Sequence, residues 1–289
     1  MSSVHEENQV DLRSPVLVAA FRGWNDAGDA ASFAAQHLVR VWNATKFASI
    51  DPEEFFDFQS VRPEVKLVDG VARVIKWPSN ELWAARLDGA AHDVMVLVGT
   101  EPSVRWRTFS AQIVELAGRH GVRLVVTLGA LLADVPHSRP VPITGTAVDP
   151  EVVERLGLHR SRYEGPTGIV GVLNDSFAAA GLPTASLWAA VPHYLAVSPN
   201  PKAALALVDK ATELIGTQAR TDALARATTA YEEQVSELVA GDEDVEAYVR
   251  LLEQRADQQA DDEIDPASLP SGEALAAELE RFLRDRGGG

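Results

Sequence analysis

The 289-residue sequence contains no cysteine, no long apolar run and no cluster of basic residues. The absence of cysteine excludes thiolate catalysis, disulfide bonds and metal sites with cysteine ligands. The longest apolar runs, near residues 94–98 and 124–133, have about ten residues or fewer, which is too short to span a bilayer. Residues 1–13 are polar and acidic and do not show the basic and apolar segments of a secretory signal, so we expect a cytoplasmic protein.

Acidic residues are concentrated at the C-terminal end of the chain. The formal net charge is −16, and residues 217–289 hold 18 Asp and Glu against 7 Arg, a net charge of −11. The preceding 216 residues carry only −5. An acidic surface repels the phosphate groups of nucleic acids and of anionic lipids. We therefore expect neither a nucleic acid nor a membrane as partner.

Apolar segments that alternate with helical patterns predict an α/β fold. We expect buried strands at residues 16–21, 93–99, 123–132 and 184–191, and helices at 33–42, 104–120, 151–156 and 171–180. This alternation is typical of a three-layer structure whose sheet is largely parallel or mixed, with helices on both faces. Between residues 47 and 87 we expect shorter strands. Residues 71–77 and 81–87 are predicted to pair as a hairpin.

These patterns divide the chain into four parts. An α/β domain is expected over residues 14–215, preceded by a flexible arm at 1–13 and followed by an acidic helical appendage at 216–286 and a disordered tail at 287–289. Helices are predicted at 201–215, 222–239, 243–258 and 273–283, the last with an apolar stripe. A seven-residue repeat of apolar residues from Leu224 to Leu252 is interrupted at Gly241, which favours an antiparallel helical hairpin over a coiled coil. We predict that the acidic appendage is a module that faces a partner, and the alternative is that it covers one side of the sheet.

The turn after the first buried strand is the first candidate site, because ligands of α/β sheets bind at the carboxyl ends of strands. Its candidate residues are Gly23, Trp24, Asn25, Asp26 and Asp29. The two aspartates repel a phosphate, and their position favours capping of the following helix. A sugar or an amine is the ligand that would suit these carboxylates better.

Two histidines follow other buried strands and form the second candidate group. His137 and Arg139 lie in a proline-rich loop, and His193 and Tyr194 follow the strand at 184–191. A Ser–His–Asp set can be written from one of these histidines with Ser138 or Ser176 and with Asp134 or Asp175. No G-x-S-x-G motif supports such a set, so no catalytic residue is assigned. No motif with metal-ligand spacing occurs, and we expect neither a metal nor a cofactor.

Three segments together resemble the proteasome assembly chaperone family of the second-subunit type, in its actinobacterial form. They are residues 21–31 (FRGWNDAGDAA), 128–147 (LGALLADVPHSRPVPITGTA) and 163–201 (YEGPTGIVGVLNDSFAAAGLPTASLWAAVPHYLAVSPNP). The resemblance covers about residues 14–215. It implies a fold similar to that of purine nucleoside phosphorylases, self-association (a trimer in preference to a dimer), and a role in the assembly of 20S proteasome subunits.

The sequence and the resemblance lead to one favoured functional hypothesis and two alternatives. We favour a chaperone-like protein-binding module without catalysis, with proteasome subunits and further copies of the chain as partners. The first alternative is a hydrolase or transferase that acts on a small polar ligand, nucleoside-like or an amine, in a cleft at the strand ends. The second alternative is a purely structural homo-oligomer.

Overall fold

A nine-stranded mixed sheet forms the centre of the computed structural model, which describes residues 3–69, 72–161, 163–195 and 198–259. The order of its strands is β1-β3-β6-β7-β2-β8-β11-β9-β10, and β4 and β5 form a separate two-stranded sheet. The strands are β1 Val4–Glu6, β2 Val16–Arg22, β3 Thr45–Ile50, β4 Glu64–Val68, β5 Ala72–Lys76, β6 Asn80–Ala85, β7 Val94–Thr100, β8 Leu124–Ala133, β9 Ile143–Ala147, β10 His159–Arg160 and β11 Thr184–Pro192. The four central strands, β7, β2, β8 and β11, run parallel, and antiparallel strands flank them.

Helices cover both faces of this sheet, as the alternating pattern predicts. The helices are α1 Ala30–Val41, α2 Trp106–Arg119, α3 Pro150–Leu156, α4 Ile169–Ala179, α5 Pro201–Ile215, α6 Asp222–Ala240 and α7 Glu243–Gln259. One apolar core joins α1 and α5 to one face of the central strands, and a second core joins α2 and α4 to the other face. Because both faces are buried, the central strands are apolar at almost every position. The predicted three-layer α/β fold is confirmed, while the similarity to nucleoside phosphorylases stays a prediction.

The hairpin prediction for residues 71–77 and 81–87 is wrong. Strand β5 pairs with β4, whereas β6 is inserted in the main sheet between β3 and β7. The difference has a physical basis, because β6 carries buried Leu82 and Ala84 and gains from two neighbours, and β4 and β5 are exposed along their whole length. In the sequence, the dipeptide Asp69-Gly70 is of a type common in hairpin turns, and it indicates the pairing of β4 with β5.

The N-terminal residues differ from the flexible arm predicted for 1–13. Val4–Glu6 forms an edge strand that pairs antiparallel with β3. Arg13 is anchored by the buried carboxylate of Asp93, whose Oδ1 lies 2.6 Å from the guanidinium Nη2. The polar composition of this segment hid these contacts, because an edge strand needs only backbone pairing on one side. Strand β9 was also missed, since it lies in a loop rich in proline.

Helices α6 and α7 are separate helices that pack together around Val235, Val239 and Val249, as the interrupted repeat predicts. Helix α6 also packs against α5, and Leu224 belongs to the same core as α1 and α5. Among the helices of residues 3–259 that the structure describes, none has the length and apolarity that a membrane crossing requires. The predicted helix at 273–283 and the tail at 287–289 lie outside the described residues.

Candidate functional site

The turn between β2 and α1 is held by Glu101, a residue at the end of β7 that the sequence did not single out. The Glu101 carboxylate accepts hydrogen bonds from the backbone N–H of Trp24 at 3.2 Å, the side-chain amide of Asn25 at 3.2 Å and the backbone N–H of Ile169 at 2.8 Å. Gly168, which precedes α4, has no side chain to cap that helix. Glu101 therefore caps α4 and ties it to the β2–α1 turn.

Two glycines make this arrangement possible. A Cβ on Gly168 would lie 2.0 Å from Nδ2 of Asn25 and 2.6 Å from Oε1 of Glu101. Gly23 has φ of +134°, and a Cβ there would lie 2.9 Å from Cβ of Glu101. Gly23 is thus needed for its backbone conformation and for the close approach of β7, whereas Gly168 is needed for the approach alone.

Asp26 acts as a helix cap, as the capping interpretation predicts. Its Oδ1 accepts hydrogen bonds from the backbone N–H of Ala31 at 2.7 Å and of Ser32 at 3.1 Å. Its Oδ2 is buried and has no hydrogen-bond partner among the described residues. Burial raises the pKa of Asp26 above its ordinary value, although the hydrogen bonds from Ser32 and Ala31 oppose the shift. The side chain thus lies inside the protein and presents no free carboxylate to a ligand.

The remaining candidates of this turn have different surroundings. Asp29 does not cap α1 with its side chain, contrary to the prediction, and instead accepts a hydrogen bond from the hydroxyl of Ser198. The reason is its backbone, which is left-handed with φ of +50°. The side chain of Trp24 is 64% exposed, and within the described residues it does not pack against any of the apolar cores.

The second candidate group does assemble, in a polar and aromatic cluster at the carboxyl ends of β8 and β11. The hydroxyl of Tyr194 lies 2.8 Å from the backbone nitrogen of His137 and 2.9 Å from its Nδ1. Nδ1 of His193 lies 3.1 Å from Oδ1 of Asp134, and the hydroxyl of Tyr248 in α7 donates to the same oxygen at 3.0 Å. The rings of His193, Tyr194 and Tyr248 meet edge to face.

Helices α6 and α7 cover this cluster. Nε and Nη2 of Arg139 donate to the carboxylate of Asp257 at 2.7 and 2.8 Å. Lys202 donates to the carbonyl oxygen of His137 at 2.5 Å and forms an ion pair with Glu232 at 2.6 Å. Burial, and then the charge of Lys202, lower the pKa of His137 below its ordinary value. The space left beside His137 measures about 10 Å³, the size of one water molecule.

The two candidate groups do not form a common cleft. Within the described residues no hydrogen bond or ion pair joins Asp26 to either histidine, and Asp26 forms an isolated backbone bridge with Ala130 of β8. The Ser–His–Asp sets are not assembled either, since the Ser138 hydroxyl donates to Glu253 and that of Ser176 to the carbonyl oxygen of Val172. In the described part of the chain, no three His, Asp or Glu side chains lie close enough together to hold a metal ion.

A third feature, the apolar hairpin formed by β4, β5 and Trp77, was not predicted as a site. Leu67 is 65% exposed, Ile75 53% and Trp77 45%, and Val65, Val68 and Val74 are exposed to similar extents. Among the described residues, half of the exposed large apolar side chains belong to this hairpin, counting Trp77 directly after β5. A two-stranded hairpin is marginally stable by itself, and exposed apolar side chains concentrated on one small element indicate an interaction surface.

Comparison with known proteins places this architecture in one family. Residues 20–239 match the PAC2 family. A PAC2 family protein from Streptomyces avermitilis is 47% identical, with a TM-score of 0.76 over 81% of this chain and 99% of that one. The proteasome-assembly chaperone homologue Rv2125 of Mycobacterium tuberculosis is 43% identical, with a TM-score of 0.74 over the same shares.

A further solved structure resembles this chain, whereas the curated proteins do not. The M. tuberculosis protein Rv2714, of unknown function, is 28% identical with a TM-score of 0.81 over 90% of each chain. None of the curated proteins shows a significant match. The family match spans well over half of the sequence, and two relatives exceed 40% identity over nearly their full length. The chain belongs to the PAC2 family.

Proposed function

We propose that this protein is a chaperone-like protein-binding module that acts in the cytoplasm, associates with itself and binds proteasome subunits during their assembly. The family and the proteasome-assembly chaperone homologue among its relatives support this class of function. The apolar hairpin is the structural observation that carries it. It exposes six large apolar side chains, five in the strands of a small separate sheet and Trp77 directly after β5.

The arrangement of the hairpin strands indicates how it binds. In the register of β4 and β5, Val65 lies opposite Ile75, and Leu67 lies on the same face. The opposite face carries Val68 and Val74. Each face alone is too small for a core, so burial against another chain stabilises the hairpin. We propose that the same surface mediates self-association, with a trimer in preference to a dimer.

Helices α6 and α7 serve mainly as cover in this proposal. Tyr231, Val235 and Leu252 are buried, and Arg139 is paired with acidic residues of α7. These contacts favour a structural role for the described part of the acidic appendage over a separable partner module. Removal of the chain after Ile215 is therefore expected to expose the His137 cluster and to destabilise the domain, which thermal unfolding of the truncated protein tests.

The test of the proposed function is an assembly assay with purified α and β subunits of an actinobacterial 20S proteasome. The wild-type protein is expected to bind at least one subunit type and to accelerate the appearance of assembly intermediates on native gels. In light scattering it is expected to have three times the 31.1 kDa mass of the chain. The double variant Leu67→Ser, Ile75→Ser is expected to lose both subunit binding and self-association, because it removes the centre of one hairpin face.

The matched control is Val148→Ser, which changes an apolar side chain that is 62% exposed outside the hairpin. This variant is expected to behave like the wild type. If the wild-type protein binds neither subunit type, the proposed function is wrong. If the double variant and the control bind equally well, the hairpin is not the binding surface.

The alternative, a hydrolase or transferase that uses Asp26, His137 and His193, gains no support from the geometry. These residues lie in two groups, and the space beside His137 holds about one water molecule. A small polar ligand of that proposal would need room that helices α6 and α7 fill.

A further inference from the structure

A basic groove lies on the α1 face of the sheet, beside the carboxyl ends of β2 and β7, where the connections that follow these two strands go to opposite faces of the sheet. β2 and β7 are parallel neighbours; β2 leads to α1 on one face of the sheet and β7 leads to α2 on the other. Ligands of α/β proteins bind in the crevice outside the carboxyl ends of two such strands. Here Glu101 fills the crevice toward α4, and the side toward α1 is open.

The open side is a groove of about 490 Å³, within the usual size of a small-molecule site. Its lining includes Arg22 at the end of β2, Arg40 in the last turn of α1, and Arg62 and Lys76 beside the apolar hairpin. Trp77 and Trp83 complete it. The cores place the even-numbered residues of β2 and the odd-numbered residues of β6 toward α1, so Arg22 and Trp83 share that face.

The charge of this groove is opposite to that of the whole chain. Four cationic side chains line it against two carboxylates, in a protein of net charge −16. Of the two carboxylates, Glu81 lies 3.6 Å from Lys46, and Glu64 is opposite Lys76 in the hairpin register. Among the described residues, no carboxylate lies within ion-pair distance of the three arginine guanidinium groups, and the guanidinium of Arg40 lies over the ring of Phe33 at 5.9 Å. Arginines that stabilise a fold are usually paired, and unpaired ones at a crevice are suited to an external anion.

The tryptophans add a second element of recognition. Trp83 is partly buried against the α1 core, and Trp77 is held edge to face by Phe58 at 4.8 Å between ring centroids. Indole rings offer flat apolar surfaces on which another planar ring stacks. A groove with guanidinium groups and indole rings matches a ligand that has an anionic group beside an aromatic ring.

We propose that the basic groove, defined by Arg22, Arg40, Arg62, Lys76, Trp77 and Trp83, binds a small polyanion that carries a planar ring, the class to which nucleotides belong. The arginines hold the phosphate or carboxylate groups, and a tryptophan stacks on the ring. This ligand site shares Lys76 and Trp77 with the apolar hairpin, but it can be tested separately from the proposed protein-binding function. The hairpin variants Leu67→Ser and Ile75→Ser lie outside its lining.

Isothermal titration calorimetry with ADP, pyrophosphate and adenosine tests this proposal on the full chain. ADP is expected to bind, with affinity that falls as the salt concentration rises. Arg40→Gln and Arg62→Gln are each expected to weaken ADP binding about tenfold, the loss of one charge-assisted hydrogen bond. Trp77→Ala is expected to reduce the preference for ADP over pyrophosphate.

Arg107→Gln is the matched control, because Arg107 is an exposed arginine of α2 on the other face of the sheet. It is expected to leave ADP binding unchanged, and the melting temperatures of all variants show that they are folded. The proposal is wrong if neither ADP nor pyrophosphate binds at about 1 mM, or if the groove variants and the control bind ADP equally. Binding of a polyglutamate peptide without binding of ADP also refutes it and assigns the groove to a protein partner.

Discussion

Replacement of Glu101 by glutamine tests whether one carboxylate holds the β2–α1 turn and the start of α4 together. Glutamine has nearly the same shape, so the substitution leaves no cavity. Its remaining oxygen can still accept from Ile169 and Asn25, but the new amide group faces the N–H of Trp24, which is also a donor. The negative charge at the N-terminus of α4 is lost as well.

The expected loss follows from these contacts. A hydrogen bond to a charged group contributes about 1.5–3 kcal/mol, and one between neutral groups about 0.5–1.5 kcal/mol. Two bonds are thus weakened by about 1 kcal/mol each. Loss of the third bond costs little, because the exposed backbone of Trp24 can bond to water. We expect Glu101→Gln to lower the free energy of unfolding by about 2 kcal/mol, a decrease in melting temperature of about 4–8 °C.

Calorimetry and urea unfolding at pH 7 measure this loss. Glu154→Gln is the control, because Glu154 is an exposed glutamate of α3, outside this cluster. It is expected to change stability by less than about 0.5 kcal/mol. An effect of Glu101→Gln as small as that of the control would show that Glu101 does not hold these segments together. Unchanged hydrogen exchange of the Ile169 amide would show the same, since that amide loses a charged partner.

Two of the three further predictions concern the same end of the sheet, and the third concerns the opposite end, where β7 begins. Asp26→Asn is expected to leave the free energy of unfolding at pH 7 unchanged or to raise it. Burial raises the pKa of Asp26, so the ionised carboxylate destabilises the fold at a pH above that pKa. A loss of more than about 1 kcal/mol in urea unfolding would contradict this. Gly168→Ala is expected to destabilise by about 1–3 kcal/mol through contact with Asn25, whereas Gly118→Ala, with open space around its Cβ, should not destabilise. Burial acts to raise the pKa of the Asp93 carboxyl group, but the hydrogen bonds from Arg13 outweigh this effect. The net result is a pKa lowered to about 2. The ionised Asp93 therefore contributes about 2 kcal/mol to the free energy of unfolding above about pH 4, and this contribution is lost as the pH falls through 2. In acid titrations, the difference in stability between the wild type and Asp93→Asn should shrink over that range.

The sequence predicts most of the central fold because both faces of the central strands are buried. A strand such as Val16–Arg22 must be apolar at nearly every position, and the helix after it must have an apolar face. These constraints act within a few residues and are visible in the order of amino acids. Pairing at the sheet edges is different, since β1 and β9 are held mainly by backbone hydrogen bonds that leave little trace in composition.

The candidate sites show the same division. The sequence identified Asp26 as a helix cap and placed His137 and His193 at strand ends, because both inferences depend on neighbours along the chain. Only the tertiary structure decided that α7, more than a hundred residues after Asp134, covers the histidines, and that Glu101 joins two distant segments. It also decided that the basic groove opens between α1 and the apolar hairpin. Such contacts join residues far apart in the chain, and their side chains are ordinary charged and aromatic residues until the fold brings them together.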